Sequence, residues 1–197
     1  MQKFSPREYN ISKSFGTENW LSFRNHCIKH LTEDNAFQKK YRKKNYLKKL
    51  SSEIKKDFLN HSGFEQFSED LIWHFELFYS IEPTGLHNDR NYFEELNEQC
   101  ERGFVLPLKM KGEHSTEFYD IFIEQKVNLK GQFLANLEGD RVDCDLTELN
   151  SPTSLKWSEG QLVMFDAKQV HCSGNFDSSK EEFKISLNGL GYRKLKG

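Results

Sequence analysis

The sequence predicts a mainly antiparallel β protein, a sandwich or jelly roll with helices packed on one face. Three observations predict it. From Thr17 to Leu59 apolar residues recur at three- and four-residue steps, the period of a helix. After Asp70 the period drops to two. About seven or eight short strand-like runs then follow, divided by turn-rich segments.

In the helical part Trp20, Phe23, Cys27 and Leu31 mark one buried stripe, with Thr17 and Asn19 as N-cap residues. Tyr46, Leu47, Leu50, Ile54 and Phe58 continue the same spacing and predict an amphipathic helix with a lysine-rich outer face. Trp73, Phe75, Leu77, Tyr79 and Ile81 then alternate with more polar neighbours, a clear strand, until Pro83 and Gly85 break it. Residues 91–100 read as a loop or short helix. Strands are expected over 103–110, 117–127 and 131–137, and after a polar stretch over 138–158 again at 161–166, 169–172 and 182–192. The expected organisation is a single domain, with a helical part over 1–69 and a β core over 70–197.

At 197 residues, with 36% apolar and 29% charged residues, the chain can bury a substantial core, and its composition excludes a disordered protein. Aromatic residues make up 14%, including 17 Phe, so that core should be rich in rings. The net charge of -2 is unevenly spread. Nine bases and one acid (Glu53) lie between Lys39 and Lys56, leaving 19 bases against 29 acids elsewhere. Such a segment would attract nucleic acid or an acidic partner, or simply form a solvated helix face. The four cysteines (Cys27, Cys100, Cys144, Cys172) are widely spaced and read as reduced thiols. The first ten residues lack an apolar signal-like segment, and no run is long enough to span a bilayer, so a soluble, cytoplasmic protein is expected.

The chemistry concentrates after the first strong strand. In extended backbone residues i and i+2 project to one side, so His87 and Asp89 can present an imidazole and a carboxylate to one ion. A later strand over 161–166 turns back to deliver His171. Two histidines and one carboxylate form a facial triad, which leaves three positions open on a non-haem Fe(II). Lys184 and Ser186 follow on a further strand. A rival pair, His74 and Glu76, has the same i, i+2 spacing but sits in mid-strand. His26, His30, His61 and His114 read as surface groups.

His87-Asn88-Asp89, His171 and Lys184-Ile185-Ser186, in that order, resemble the motif of the 2-oxoglutarate and Fe(II)-dependent dioxygenase superfamily. Gly85-Leu86 before the first ligand, Gly160 to Asp166 before the distal histidine, and Asn175 after it also look like that family. The resemblance covers roughly residues 70 to 193. It implies a double-stranded β-helix of cupin type and an oxidoreductase, a hydroxylase, that couples conversion of 2-oxoglutarate to succinate with oxidation of a substrate. It further implies metal ligation by His87, Asp89 and His171, with O2 as the oxidant and ascorbate as a stimulant. By the same resemblance Lys184 anchors the far carboxylate of 2-oxoglutarate and Ser186 donates a hydrogen bond to it; Tyr79 is a further candidate contact, although its apolar strand face favours core packing. Lys109 and Arg193 are alternative anchors. The 91–100 and 138–158 segments are candidate lids. Two other readings compete: a metal-cupin enzyme that does not use 2-oxoglutarate, and a binding module acting through the Lys39–Lys56 segment.

Overall fold

The computed structural model describes residues 5–40, 45–66, 68, 70–90, 92–93, 97–130, 133–142 and 151–195. The larger sheet runs in the order β1 (Arg7–Asn10), β10 (Gln161–Asp166), β5 (Glu98–Lys111), β12 (Phe183–Lys194), β3 (Ile72–Ser80), β2 (Tyr46–Lys49), with β4 (Tyr92–Phe93) paired to the start of β5. The smaller sheet contains β11 (Gln169–Gly174), β6 (Ser115–Phe122) and β9 (Thr153–Lys156), and β7 (Asn128–Lys130) forms a hairpin with β8 (Phe133–Ala135). Every described pair is antiparallel. β5 lies between β10 and β12, both remote from it in sequence. That crossing over is the jelly-roll topology expected from the strand pattern.

Side-chain alternation assigns the two faces of the larger sheet. Phe75, Leu77 and Tyr79 of β3, with Phe104 and Leu106 of β5, turn to the helical side. There they meet Phe15, Phe23, Phe58 and Phe64 from α1 (Ile11–Phe15), α2 (Thr17–Thr32), α4 (Ser52–His61) and the short turn after it. Ring centroids of Phe58 and Phe64 lie 5.6 and 5.7 Å from Phe75, and that of Phe64 lies 5.3 Å from Phe104. The opposite face, represented by Val105, Val163 and Phe165, packs on Phe118 of the smaller sheet. The functional cavity opens between the two sheets.

The α2 stripe of Trp20, Phe23, Cys27 and Leu31 is buried as expected. Its N-cap is Gly16 instead of Thr17 or Asn19, and the left-handed φ of 73° at that tight α1–α2 junction suits a glycine. The larger correction concerns Tyr46 to Leu50. The helix expected there is strand β2, paired with β3 from Tyr46↔Tyr79 to Lys49↔Glu76. Tyr46 and Lys48 turn inward, and both bond Asp34, at 2.9 Å each. The helix α4 begins only after Ser51, whose hydroxyl accepts a bond from the Ile54 N–H. Leu47, Leu50 and Ile54 keep the helical spacing, but Tyr46 to Lys49 also alternate in burial, and pairing with an otherwise open sheet edge decides the outcome.

The basic segment is therefore divided between α3 (Asn35–Lys40), β2 and α4, and it is not one continuous helix face. Lys48 is tied to Asp34, and Lys55 donates to the Trp73 carbonyl and covers the Phe75 ring. Arg42, Lys43 and Lys44 lie outside the described residues, as does Cys144. So do parts of both candidate lids. Their described parts include strands: β4 and the start of β5 in one, β9 in the other. Among the described residues no helix is long and apolar enough to cross a membrane.

Candidate metal centre

The chain after β3 runs back beside β11. His87 and His171 exchange backbone hydrogen bonds of 3.0 and 2.8 Å, and the Asp89 N–H donates to the Ala167 carbonyl at 2.9 Å. This extended pairing fixes the alternation of the three residues 87–89. His87 and Asp89 face one way, and Asn88 faces the other and is wholly buried. The Asn88 amide donates to the carbonyls of Ile123 and Gln125 (3.1 and 2.9 Å) and its oxygen accepts from the Val127 N–H (3.0 Å). Arg90, also buried, bonds the Cys100 and Glu124 carbonyls and pairs with Glu101 and Glu124.

The result brings three donors together. His87 Nε2 lies 3.7 Å from one Asp89 carboxylate oxygen, and His171 Nε2 lies 3.6 Å from the other. One ligand atom from each residue falls within 4.8 Å of the others. Each imidazole is oriented from behind in the same way. His87 Nδ1 lies 2.7 Å from the Gly85 carbonyl, and His171 Nδ1 lies 2.9 Å from the Gln169 carbonyl. A carbonyl can only accept, so each Nδ1 carries the hydrogen and each neutral ring keeps its Nε2 lone pair for an ion.

Electrostatics sets the states of His171 and Asp89 in the same sense. Burial, followed by the nearby His87, pushes His171 down to about 4, so its ring is neutral at pH 7. Burial pushes the Asp89 carboxyl up, but His171, His87 and Lys126 outweigh it and hold the group below the ordinary carboxylate value. Two imidazole Nε2 atoms and one carboxylate are a donor set that fits a divalent iron.

The triad lines a cavity of about 240 Å³ that also contains Lys184, Ser173, Thr116 and Trp157. Lys184 is 3% exposed. Its ammonium donates to Ser173 Oγ at 2.8 Å and stands 4.4 Å above the Trp157 ring. Among the described residues no carboxylate pairs with it. Burial brings its pKa down to about 8.

Other expected site residues lie elsewhere. Ser186 shares the strand face of Lys184, but it is fully buried outside the cavity lining and its hydroxyl is committed to Asn188 Oδ1 at 2.7 Å. Tyr79 is on the opposite face of the sheet, 5.1 Å from the Phe37 ring and 6.0 Å from Phe183. An odd position on β3 cannot reach a cavity served by Glu76 and Phe78. Lys109 and Arg193 are exposed and do not line the cavity. His74 and Glu76 gather no third donor among the described residues, although Glu76 lines the cavity. His26 and His61 are exposed as expected, whereas His114 is buried, with Nε2 3.1 Å from the Lys111 carbonyl and its ring against Phe176.

Two contributors were missed in the sequence. Ser173 accepts from both Lys184 and the Thr84 N–H. Its i+2 spacing from His171 was the available signal, since both project from β11 into one cavity. Gly103 is the other. A Cβ there would sit 2.6 Å from the Phe165 ring and 3.2 Å from Asp89 Oδ2, so its hydrogen gives the carboxylate its room. A lone glycine in a strand carries no signal for that.

No protein-family model and no curated protein matches the chain. Solved structures do. The non-heme alpha ketoglutarate dependent carbocyclase SnoK from nogalamycin biosynthesis superposes with a TM-score of 0.60 at 11% identity, covering 95% of this chain and 79% of that one. A Pseudomonas putida prolyl-4-hydroxylase gives 0.54 at 10%, covering 95% and 92%. The epimerase SnoN, in complex with Fe3+, alpha ketoglutarate and nogalamycin RO, gives 0.56 at 10%, covering 96% and 78%. The chain thus has the jelly-roll fold of the 2-oxoglutarate and Fe(II)-dependent oxygenases, and it carries a His87–Asp89–His171 cluster inside that fold.

Proposed function

We propose that the protein is an Fe(II) and 2-oxoglutarate-dependent oxygenase, acting as a hydroxylase. The observation that carries this reading is the pairing of two features in one cavity. Three metal-competent donors converge on one side, and on the other stands a buried lysine with no carboxylate partner among the described residues.

Nε2 of His87, Nε2 of His171 and a carboxylate oxygen of Asp89 would hold the metal. Bound Fe(II) would supply the activation of O2 that couples decarboxylation of 2-oxoglutarate, to succinate and CO2, with oxidation of a substrate. Everything else falls to the chain's own groups. The Gly85 and Gln169 carbonyls keep both rings in the ligating tautomer. Lys184 receives the far carboxylate of 2-oxoglutarate. An unpaired buried ammonium is costly, and an incoming anion repays that cost, so the cation acts as a preformed receptor. The acceptor capacity of Ser173 is used by Lys184 and Thr84, which leaves its O–H free to donate to the same carboxylate. Ser173 takes the place that the sequence suggested for Ser186. Trp157, fixed by its N–H to Thr116 Oγ1 at 2.9 Å, walls the anion end with an aromatic face and excludes water.

The test is succinate formation from 2-oxoglutarate with Fe(II), O2 and ascorbate, including turnover uncoupled from any substrate. Wild type should form succinate, and Asp89→Ala should lose it. Identical rates in the two proteins would sink the reading.

A further inference from the structure

The cavity has a second charged wall. Glu76 is half-buried on β3, on the face opposite the helices, and lines the same cavity as the triad and Lys184. It has no hydrogen-bond or ion-pair partner among the described residues. Asn188 stands opposite it on β12, but the Asn188 carbonyl oxygen takes the Ser186 hydroxyl and its amide does not bond the carboxylate. Lys49, opposite Glu76 on β2, is exposed and makes no ion pair with it. His74, two residues back, is exposed and packs edge-on against Tyr192. Apolar side chains flank the carboxylate within the cavity: Leu47, Phe78 and Leu190.

Lys184 and Asn188 are four residues apart on β12, about 13 Å along an extended strand. A cation therefore marks one end of the cavity and an anion the other. A dianion such as 2-oxoglutarate is drawn to Lys184 and repelled by Glu76. The Glu76 end is left for a molecule of the opposite charge, and a half-buried carboxylate recovers its lost hydration best from a charged donor.

We propose that Glu76 is the specificity residue of the cavity and that the primary substrate carries a cationic nitrogen, an amine or guanidine on an apolar body, which Glu76 receives. The word substrate rests on the oxygenase reading; the amine site itself does not. Leu47, Phe78 and Leu190 would contact the apolar body, and the charge of Glu76 would fix its orientation toward the metal end. Burial raises the Glu76 pKa, and the exposed Lys49 and His74 offset that only in part.

Three size-matched probes test this: butylamine, butan-1-ol and butyrate, titrated by ligand-observed NMR into the whole protein without metal or 2-oxoglutarate. The amine should bind wild type about tenfold tighter than the alcohol, and Glu76→Gln should reduce that preference to about twofold or less. Lys49→Gln, across the strand pair, should retain it. Equal affinities for the amine and the alcohol on wild type, or a full preference surviving in Glu76→Gln, would overturn the proposal. The wild-type ordering decides the first half whatever the stability of the variant. Binding of 2-oxoglutarate with Mn(II), measured separately, keeps the two readings apart. An amine preference without 2-oxoglutarate binding leaves the Glu76 site standing and removes the oxygenase, and the reverse pattern removes the Glu76 site alone.

Discussion

His87 and His171 are joined at the backbone before they are joined by chemistry. Each N–H donates to the other's carbonyl, at 3.0 and 2.8 Å, so two candidate metal ligands from distant parts of the chain hang from one β-bridge. Their rings lie 4.4 Å apart, centroid to centroid, with both Nε2 atoms directed toward Asp89. Ligand spacing is therefore set by sheet pairing, which is stiff, and not by loop conformation.

Asn88 holds this arrangement from the rear. Its three backbone bonds anchor the ligand strand to residues 123–127, and it is fully buried. Asn88→Ala strands two carbonyls and one N–H. The variant should lose about 1–3 kcal/mol of stability, and its affinity for Mn(II) should fall about 10–100-fold. Thermal melts and metal titration measure the two effects.

Gly103→Ala tests the close approach of β5 to the ligand carboxylate. The added methyl meets the Phe165 ring at 2.6 Å and Asp89 Oδ2 at 3.2 Å. Displacement of either group should cost about 1–3 kcal/mol of stability and weaken metal binding. A variant with wild-type metal affinity would show that the Asp89 carboxylate has room to spare.

Lys184→Met should act in opposite directions on binding and stability. Affinity for 2-oxoglutarate should fall at least about tenfold, because a charge-assisted bond to a buried anion is lost. The fold should become more stable, by on the order of 1 kcal/mol, because an unpaired buried cation is replaced by an apolar side chain of similar length. In the wild type the folded pKa of about 8 lies below the unfolded value, so the neutral form is favoured by folding. The penalty is full below about 8 and is relieved as pH rises toward the unfolded value. Binding has the opposite sign. The affinity for 2-oxoglutarate should weaken as pH rises through about 8 and Lys184 loses its proton. Titration calorimetry across that range checks the sign for binding, and thermal melts check the sign for stability.

Asp34 carries a pH-dependent share of the helix–sheet packing. It accepts from the Ala36 and Phe37 N–H groups at the start of α3 and bonds both Tyr46 and Lys48 of β2. Lys48 foremost, then Tyr46, holds its carboxyl well below the ordinary value. With the folded pKa below the unfolded one, the stabilisation is present above about pH 4 and is lost as pH falls from there toward the folded value. Thermal melts should show Asp34→Asn less stable than wild type at pH 7, with the gap narrowing as pH drops below about 4.

The sequence made the jelly roll and the triad legible for one reason: both follow from period two. Alternation on β3 announced the sheet, and the same alternation put His87 and Asp89 on one side. It also explains why Tyr79 belongs to the helical face, the core-packing role that its place in the apolar stripe of β3 favours. Tyr46 to Lys49 was read as helix because a four-residue strand is too short to outvote a helical pattern continuing from both sides. β1, with the sequence Arg-Glu-Tyr-Asn, offers almost no apolar signal, and only pairing with β10 makes it a strand. Ser186 and Ser173 were interchangeable in type. Only the three-dimensional register shows which hydroxyl faces Lys184.

The central claim is that His87, Asp89 and His171 hold a metal that takes up 2-oxoglutarate together with Lys184. Anaerobic titration calorimetry of 2-oxoglutarate into wild type and Asp89→Ala, each with and without Fe(II), tests it most directly. Tight binding should require Fe(II) in the wild type and be lost in Asp89→Ala. Binding of equal strength with and without the metal, or an unaltered Fe(II)-dependent affinity in Asp89→Ala, would contradict it.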